Sequence, residues 1–241
     1  MLRLSKSQLE NYVKCPRCFW LDRNRGLKVP EGIRSGLPMG MDRILKAHFD
    51  AHRAKGIMPA EVQASGIVPP GTAPFPDQAQ LKRWRYWKTG PSVVIDGVEI
   101  GGALDDLFVL DGILSVADYK TKAKETTKED TEKYYQTQAD VYDLILNEMK
   151  RPTTGTAYFL YYAPESVLEH LRNARQGLER VGMAWTCQPI ALKAKPEQAR
   201  GLIRNAARCL AGWMPDSNPE CGQCSYIMER AEIEKLIQEV V

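Results

Sequence analysis

Asp105, Asp118 and Lys120 are the side chains of this sequence whose types and spacing best suit chemistry, and a two-residue turn is what sets them together. Within the run Gly102–Thr121, Asp111-Gly112 is a strong signal for a tight hairpin, because the favoured turn needs positive φ at both central residues. With those two residues as the loop, Leu110 faces Ile113. Counting outward then sets Asp105 directly opposite Asp118, with Cβ atoms roughly 5 Å apart on one face of the sheet. Lys120, two residues on, projects from the same face. Facing carboxylates repel, and a divalent cation between them removes the penalty. Mg²⁺ accepts one or two carboxylates and keeps several waters, which suits this pair. The neighbouring lysine can orient or deprotonate an attacking water, or offset charge on a phosphate. The bland alternative is a solvated hairpin face. Against it stand the apolar residues of both strands, Leu104, Leu107, Phe108, Val109, Leu110, Ile113, Leu114 and Val116, among which an acid needs a partner.

Two further constellations carry chemistry. Cys15 and Cys18 form one C-x-x-C pair and Cys221 and Cys224 another, at opposite ends of the chain. In a reducing compartment such pairs point to metal before disulfides. Four thiolates can hold tetrahedral zinc or a 4Fe-4S cluster, and spacing alone favours zinc; if Cys18 merely packs, the site is incomplete. Cys187 and Cys209 read as buried thiols. The run Lys82-Arg83-Trp84-Arg85-Tyr86-Trp87-Lys88 interleaves cations with aromatic rings. Rings that stack on bases contribute roughly 1–3 kcal/mol each while cations follow the phosphates, which suits a single strand. The alternative is an amphipathic helix whose tryptophans lie in the core.

The elements that must position these residues follow from pattern. Ser5 is a candidate N-cap for a helix to about Lys14, broken by Cys15-Pro16. A second helix runs from about Pro38 to Lys55, with Met41, Ile44, Leu45, His48 and His52 on one face. Residues 56–80, rich in Pro, Gly and Ala, read as irregular. Strands are expected at about 92–96, 98–110 and 113–120, a helix at 129–150, strands at 156–162 and 181–192, and helices at 196–213 and after Cys224. This order predicts a single α/β domain over residues 1–241. Of the 241 residues, 44% are hydrophobic, so a sizeable core is expected. The 33 Lys and Arg against 30 Asp and Glu leave a charge of +3, too small for a global field to draw in a polyanion; a local patch must do so. The opening MLRLSKSQLENY lacks an apolar signal region. No stretch approaches the ~18 apolar residues of a membrane span. A soluble, cytoplasmic protein without a membrane partner is expected.

Taken in order, the motifs resemble the PD-(D/E)XK nuclease superfamily, specifically its RecB-like branch. Gly102-x-x-Asp105 followed by Asp118-Tyr-Lys120-Thr resembles the nuclease core, Gln138-Ala-Asp-Val-Tyr142 the Q-x-x-x-Y motif of the following helix, and Leu4-Ser5 through Cys15-Pro16 the N-terminal signature. The resemblance touches residues 4–19, 102–121, 138–142 and 221–226. It implies a restriction-endonuclease-like central mixed sheet flanked by helices. It implies Mg²⁺- or Mn²⁺-dependent phosphodiester hydrolysis, often exonucleolytic on DNA with a single-stranded end, with Gln138 and Tyr142 lining the site. Protein partners in recombination or CRISPR adaptation are also implied. Several relatives carry a 4Fe-4S cluster, which favours a cluster over zinc on Cys15, Cys18, Cys221 and Cys224, although such relatives commonly supply one cysteine early and three late rather than two and two. The branch usually places a His ligand on an early helix in a G-x-x-V-H context. Here Asp42 falls near that position, as a hard oxygen ligand or as a carboxylate favoured by the helix dipole. His48 is the alternative register, as a ligand or as a core-edge histidine. Two other readings are a catalytically silent nucleic-acid-binding scaffold, which has no need of the intact triad, and a zinc-binding interaction module, which leaves the facing carboxylates unexplained.

Overall fold

Both tight turns around the acids take the conformation their sequences demand. Asp111 has φ 50° and Gly112 φ 79°, and Asp96-Gly97 repeats the pattern at 50° and 79°. Two consecutive positive-φ residues match the right-handed twist of the flanking strands. The computed structural model describes residues 1–30, 32, 36–164 and 184–240. In chain order the elements are β1 (Leu2–Ser5), α1 (Lys6–Lys14), α2 (Pro16–Arg25), α3 (Gly36–Arg53), α4 (Ala60–Gln63), β2 (Ala73–Pro74), α5 (Gln78–Trp84), β3 (Ser92–Ile95) and β4 (Val98–Gly101). They continue with β5 (Asp106–Leu110), β6 (Ile113–Thr121), α6 (Lys128–Glu148), β7 (Thr153–Pro164), β8 (Trp185–Lys193), α7 (Pro196–Ala211) and α8 (Gly222–Val240). None of the described helices is long and apolar enough to cross a membrane. The expected strand from Val181 begins at Trp185; Val181–Met183 lie outside the described residues.

The chain divides into two compact units, interleaved along the sequence. The first comprises Met1–Ile33, Ser92–Gly101 and Glu197–Val241. Its mixed sheet has the order β1-β4-β3, with β1 parallel and β3 antiparallel to β4. Ser5 caps α1 through a full capping box with Gln8, which satisfies two otherwise orphaned N–H groups. Cys15 ends α1 and caps α2, accepting from the Cys18 N–H.

The second unit comprises Arg34–Pro91 and Gly102–Pro196 and is built on the sheet β2-β5-β6-β7-β8. Only the β6–β7 pair in it is parallel, and the crossover between them is α6. In the β5–β6 hairpin Leu110 pairs with Ile113 and Asp106 with Ala117, so the register counted from the turn is the observed one. Each face of this sheet is apolar. One packs Phe108, Ala117, Tyr119, Tyr158, Leu160 and Tyr162 against Met41, Leu45 and Phe49 of α3. On the other, Tyr135 of α6 stacks on Phe159 of β7 with ring centroids 5.4 Å apart.

The buried stripe of α3 is Met41, Leu45, Phe49 and Arg53 rather than the stripe expected from pattern; Ile44 is 61% exposed. Arg53 ends that stripe because its guanidinium neutralises Asp106 in the core. Its Nη2 lies 2.6 Å from the Asp106 carboxylate, and the two side chains are 1% and 0% exposed. The Tyr119 hydroxyl and Arg85 complete the shell around Asp106. Removing one partner of such a pair strands a buried charge, at a cost of roughly 3–5 kcal/mol. Arg53→Met should lower unfolding stability by about that amount, read as a fall in the urea midpoint with little change of slope.

Candidate active site

The acid site belongs to the second unit. Tyr119 turns to the α3 side of the sheet, so its neighbours Asp118 and Lys120 turn to the α6 side, as the two-residue period of a strand requires. Lys120 Nζ lies 2.5 Å from Asp118 Oδ2 and 4.2 Å from the centre of the Tyr135 ring. Burial works against the Lys120 ammonium, but Asp118 more than offsets it and holds the pKa above the ordinary lysine value. In this state Lys120 is a proton donor. Gln138, on α6, locks the pair: its amide N–H donates to Asp118 Oδ1, and its carbonyl accepts from Lys120 at 3.4 Å.

Asp105 stands one residue before β5, at the position that continues the hairpin register toward Asp118. The backbone leaves the strand between Gly102 and Asp105. Tyr142 of α6 holds this departure, donating its hydroxyl to the Ala103 carbonyl at 2.6 Å. Gly102 lies so close to the Tyr142 ring that a Cβ would stand 2.8 Å from it, and a Cβ on Gly90 would stand 2.0 Å from the Gly102 carbonyl oxygen. Arg85 donates to the Asp105 carbonyl at 2.7 Å. The Asp105 carboxylate meets Lys46 of α3 at 3.0 Å, and the same ammonium lies 2.8 Å from Asp42. Two clusters thus adjoin, Asp42 and Asp105 on Lys46 and Asp118 on Lys120 and Gln138, with Asp105 near enough to act on the Lys120 charge, although the three carboxylates do not all lie within 4.8 Å of one another. Hard oxygen donors of this kind suit Mg²⁺ or Mn²⁺, and each acid is already held by a cation.

The cysteine site belongs to the first unit. Cys15 and Cys224 sulfur atoms are 3.6 Å apart, and Cys18 lies 3.8 Å from both Cys221 and Cys224. All four sulfurs fall within 4.8 Å of one another, and among the described residues this is the group so gathered. Burial pushes the Cys18 thiol up, whereas the Cys224 backbone N–H draws Cys221 down to about 7. Four thiolates at this spacing fit a metal ion, the ligand set that the two C-x-x-C pairs led us to expect.

A family model described as the PD-(D/E)XK nuclease superfamily matches residues 41–228. The chain belongs to the PD-(D/E)XK nuclease superfamily. The matched span holds Asp42, Asp105, Asp118, Lys120, Gln138 and Tyr142, together with the second cysteine pair but not the first. Nucleases of this superfamily use divalent metals, and the mixed α/β architecture with its sheets flanked by helices is consistent with their restriction-endonuclease-like fold. No curated protein matches the sequence. A solved structure described as "Crystal structure of SSO0001" is similar at 12% identity over 95% of this chain and 85% of that one, with a TM-score of 0.41.

Within this nuclease fold some expected site residues stand elsewhere. His48 meets Glu61 at 2.7 Å and the His52 ring at 4.5 Å, whereas Asp42 is the residue joined to Asp105 through Lys46. Two members of the basic–aromatic run need correction. Trp84 is 6% exposed and stacks against Phe75, so the amphipathic-helix alternative holds for it. Arg85 is turned inward to Asp50 and Asp106. Arg83, Tyr86, Trp87 and Lys88 remain at the surface, with Lys88 over the Trp87 ring at 5.3 Å. Sequence reasoning missed Lys46. Its signal was present in the i,i+4 spacing from Asp42 on one helix face. Sequence reasoning also missed Gly90, whose close backbone approach has no periodic signature.

Tyr142→Phe keeps the ring against Gly102 but removes the hydroxyl that serves the Ala103 carbonyl. The variant should lose about 1–2 kcal/mol of unfolding stability, the cost of one unmet acceptor. The corresponding fall in melting temperature is the check.

Proposed function

We propose that this chain is a metal-dependent deoxyribonuclease that hydrolyses phosphodiester bonds, acting as an exonuclease on single-stranded DNA or DNA ends. The observation that carries this reading is Asp118 bound jointly by Lys120 and Gln138, on the strand paired with the one that Asp105 precedes. Asp105 and Asp118 would hold Mg²⁺ or Mn²⁺, with Asp42 as the further carboxylate. When bound, such an ion supplies Lewis acidity at the phosphate and lowers the pKa of its bound water. Lys120 would donate to the attacking water or to the scissile phosphate, and the Tyr135 ring beneath its ammonium limits where it can swing. Gln138 keeps the Asp118 carboxylate oriented. Trp87 and Tyr86, 67% and 49% exposed, support contact with unpaired bases, and Arg83 and Lys88 with the phosphates. The RecB-like resemblance supports the preference for free ends.

Asp118→Asn should leave the fold and melting temperature near wild type and reduce Mg²⁺- or Mn²⁺-dependent cleavage of labelled single-stranded DNA by at least about a hundredfold. Turnover at the wild-type rate in that variant, or wild-type cleavage in excess EDTA, would remove the assignment.

A second observation bears on the cysteine centre. Four thiolates around one zinc ion at about 2.3 Å define a tetrahedron with edges of about 3.8 Å. Three of the six sulfur separations, Cys15–Cys224, Cys18–Cys221 and Cys18–Cys224, are 3.6–3.8 Å and all six are within 4.8 Å, which supports that reading. In a 4Fe-4S cluster each thiolate binds a different iron at a corner of a cube, and the sulfurs stand further apart. Protein purified without oxygen should therefore be colourless and carry about one zinc per chain by elemental analysis. Chelation should lower its melting temperature, since metal binding in such sites is folding free energy. Brown protein with visible absorbance and iron would assign the cluster instead.

A further inference from the structure

One ammonium group in the acid site has no part in the reaction proposed above. Lys46 Nζ bridges Asp42 at 2.8 Å and Asp105 at 3.0 Å, from the helix that lines the sheet. Three carboxylates (Asp42, Asp105 and Asp118) and two ammonium groups (Lys46 and Lys120) leave the cluster with a net charge of −1. That attracts a divalent cation less than the three carboxylates would without the ammonium groups. It is enough to keep the carboxylates from forcing one another apart while the metal is absent. A cation entering between Asp42 and Asp105 meets an ammonium already on the same oxygens. With Lys46 moved away the charge facing the ion becomes −2. The long, flexible lysine stem allows the move, since the side chain is 24% exposed. The displaced ammonium then needs an anion, and the one the reaction brings is a phosphate of the nucleic acid.

We propose that Lys46 is a displaceable counter-ion: it competes with the divalent metal for Asp42 and Asp105, and once displaced it binds a substrate phosphate. Metal and nucleic acid therefore bind with positive coupling, each favouring the state in which Lys46 has left the acids. Coupling of this kind is reciprocal, so it can be read from either ligand. The inference rests on the acid site being the metal site.

The test is calorimetric titration of Mn²⁺ into the intact protein, with its cysteine centre loaded, with and without a short single-stranded oligonucleotide carrying non-hydrolysable linkages. Asp118→Asn is titrated in parallel. Lys46→Met should bind Mn²⁺ several-fold more tightly than wild type without oligonucleotide. The oligonucleotide should tighten Mn²⁺ binding to wild type by a larger factor than to Lys46→Met. Lys55→Met, which removes an exposed charge from the turn that follows the same helix, controls for general electrostatics and should leave Mn²⁺ binding near wild type. If Lys46→Met melts early, Lys46→Gln replaces it. Equal or weaker Mn²⁺ binding in the Lys46 variant, an equal gain from oligonucleotide, or the same tightening in Lys55→Met overturns the proposal while leaving the metal site intact. Mn²⁺ binding that survives unchanged in Asp118→Asn removes the metal-site reading itself, and the Lys46 role with it.

Discussion

A carboxylate with no access to water, that of Asp106, is the constraint on which the second unit depends. A lone ionised acid in an apolar core is prohibitively unstable. The partners that make it tolerable come from three places in the chain: Arg53 at the end of α3, Arg85 just after α5, and Tyr119 in β6. None of these can be displaced without exposing the charge to the core, so helix, loop and strand are fixed together. The same arrangement reaches the candidate active site. Arg85 neutralises Asp106 with one side of its guanidinium and donates to the Asp105 carbonyl with its Nε, so the backbone that carries the candidate metal ligand is held by the group that balances the core. Adjacent acids thus divide the work, Asp106 for the fold and Asp105 for the candidate site.

The sheet makes a similar division along β6. Tyr119 faces α3 and the core, while Asp118 and Lys120 face α6 and its glutamine. A slip of one residue in the β5–β6 register would exchange the two faces, burying an acid and a lysine against Phe49 and exposing a core tyrosine to the site. The Asp111-Gly112 turn prevents that slip, because its geometry admits one pairing only. The candidate site and the core are therefore protected by the same two residues.

The first unit is assembled from three stretches of chain that are distant in sequence, and its cysteine pairs lie 203 residues apart between Cys18 and Cys221. Closing a loop of that length is entropically costly, and the cost grows only slowly with length. One four-thiolate centre within the unit can offset it. Cys15 also ends one helix and caps the next, so a candidate metal ligand and a helix boundary are the same residue.

By itself the sequence determined whatever depends on neighbours along the chain. The capping box at Ser5, the two Asp-Gly turns, the β5–β6 register and the pairing of each C-x-x-C are local, and local chemistry writes them. The register in turn set Asp118 and Lys120 on one face, and the order of motifs pointed to the nuclease superfamily. What only the tertiary structure decided are encounters between distant segments. The stripe of α3 closed on Arg53 rather than a histidine because Asp106, far away in sequence, needed a counter-charge. Trp84 turned inward onto Phe75, and Arg85 turned inward to the buried Asp106 and the half-buried Asp50. Lys46 entered the acid site through a contact to Asp105 that no periodicity encodes, and Gly90 is required by a backbone it meets only after folding. Hydrophobic period and turn chemistry report on which face a residue takes. Which charge it meets there is settled by desolvation, once the core has closed.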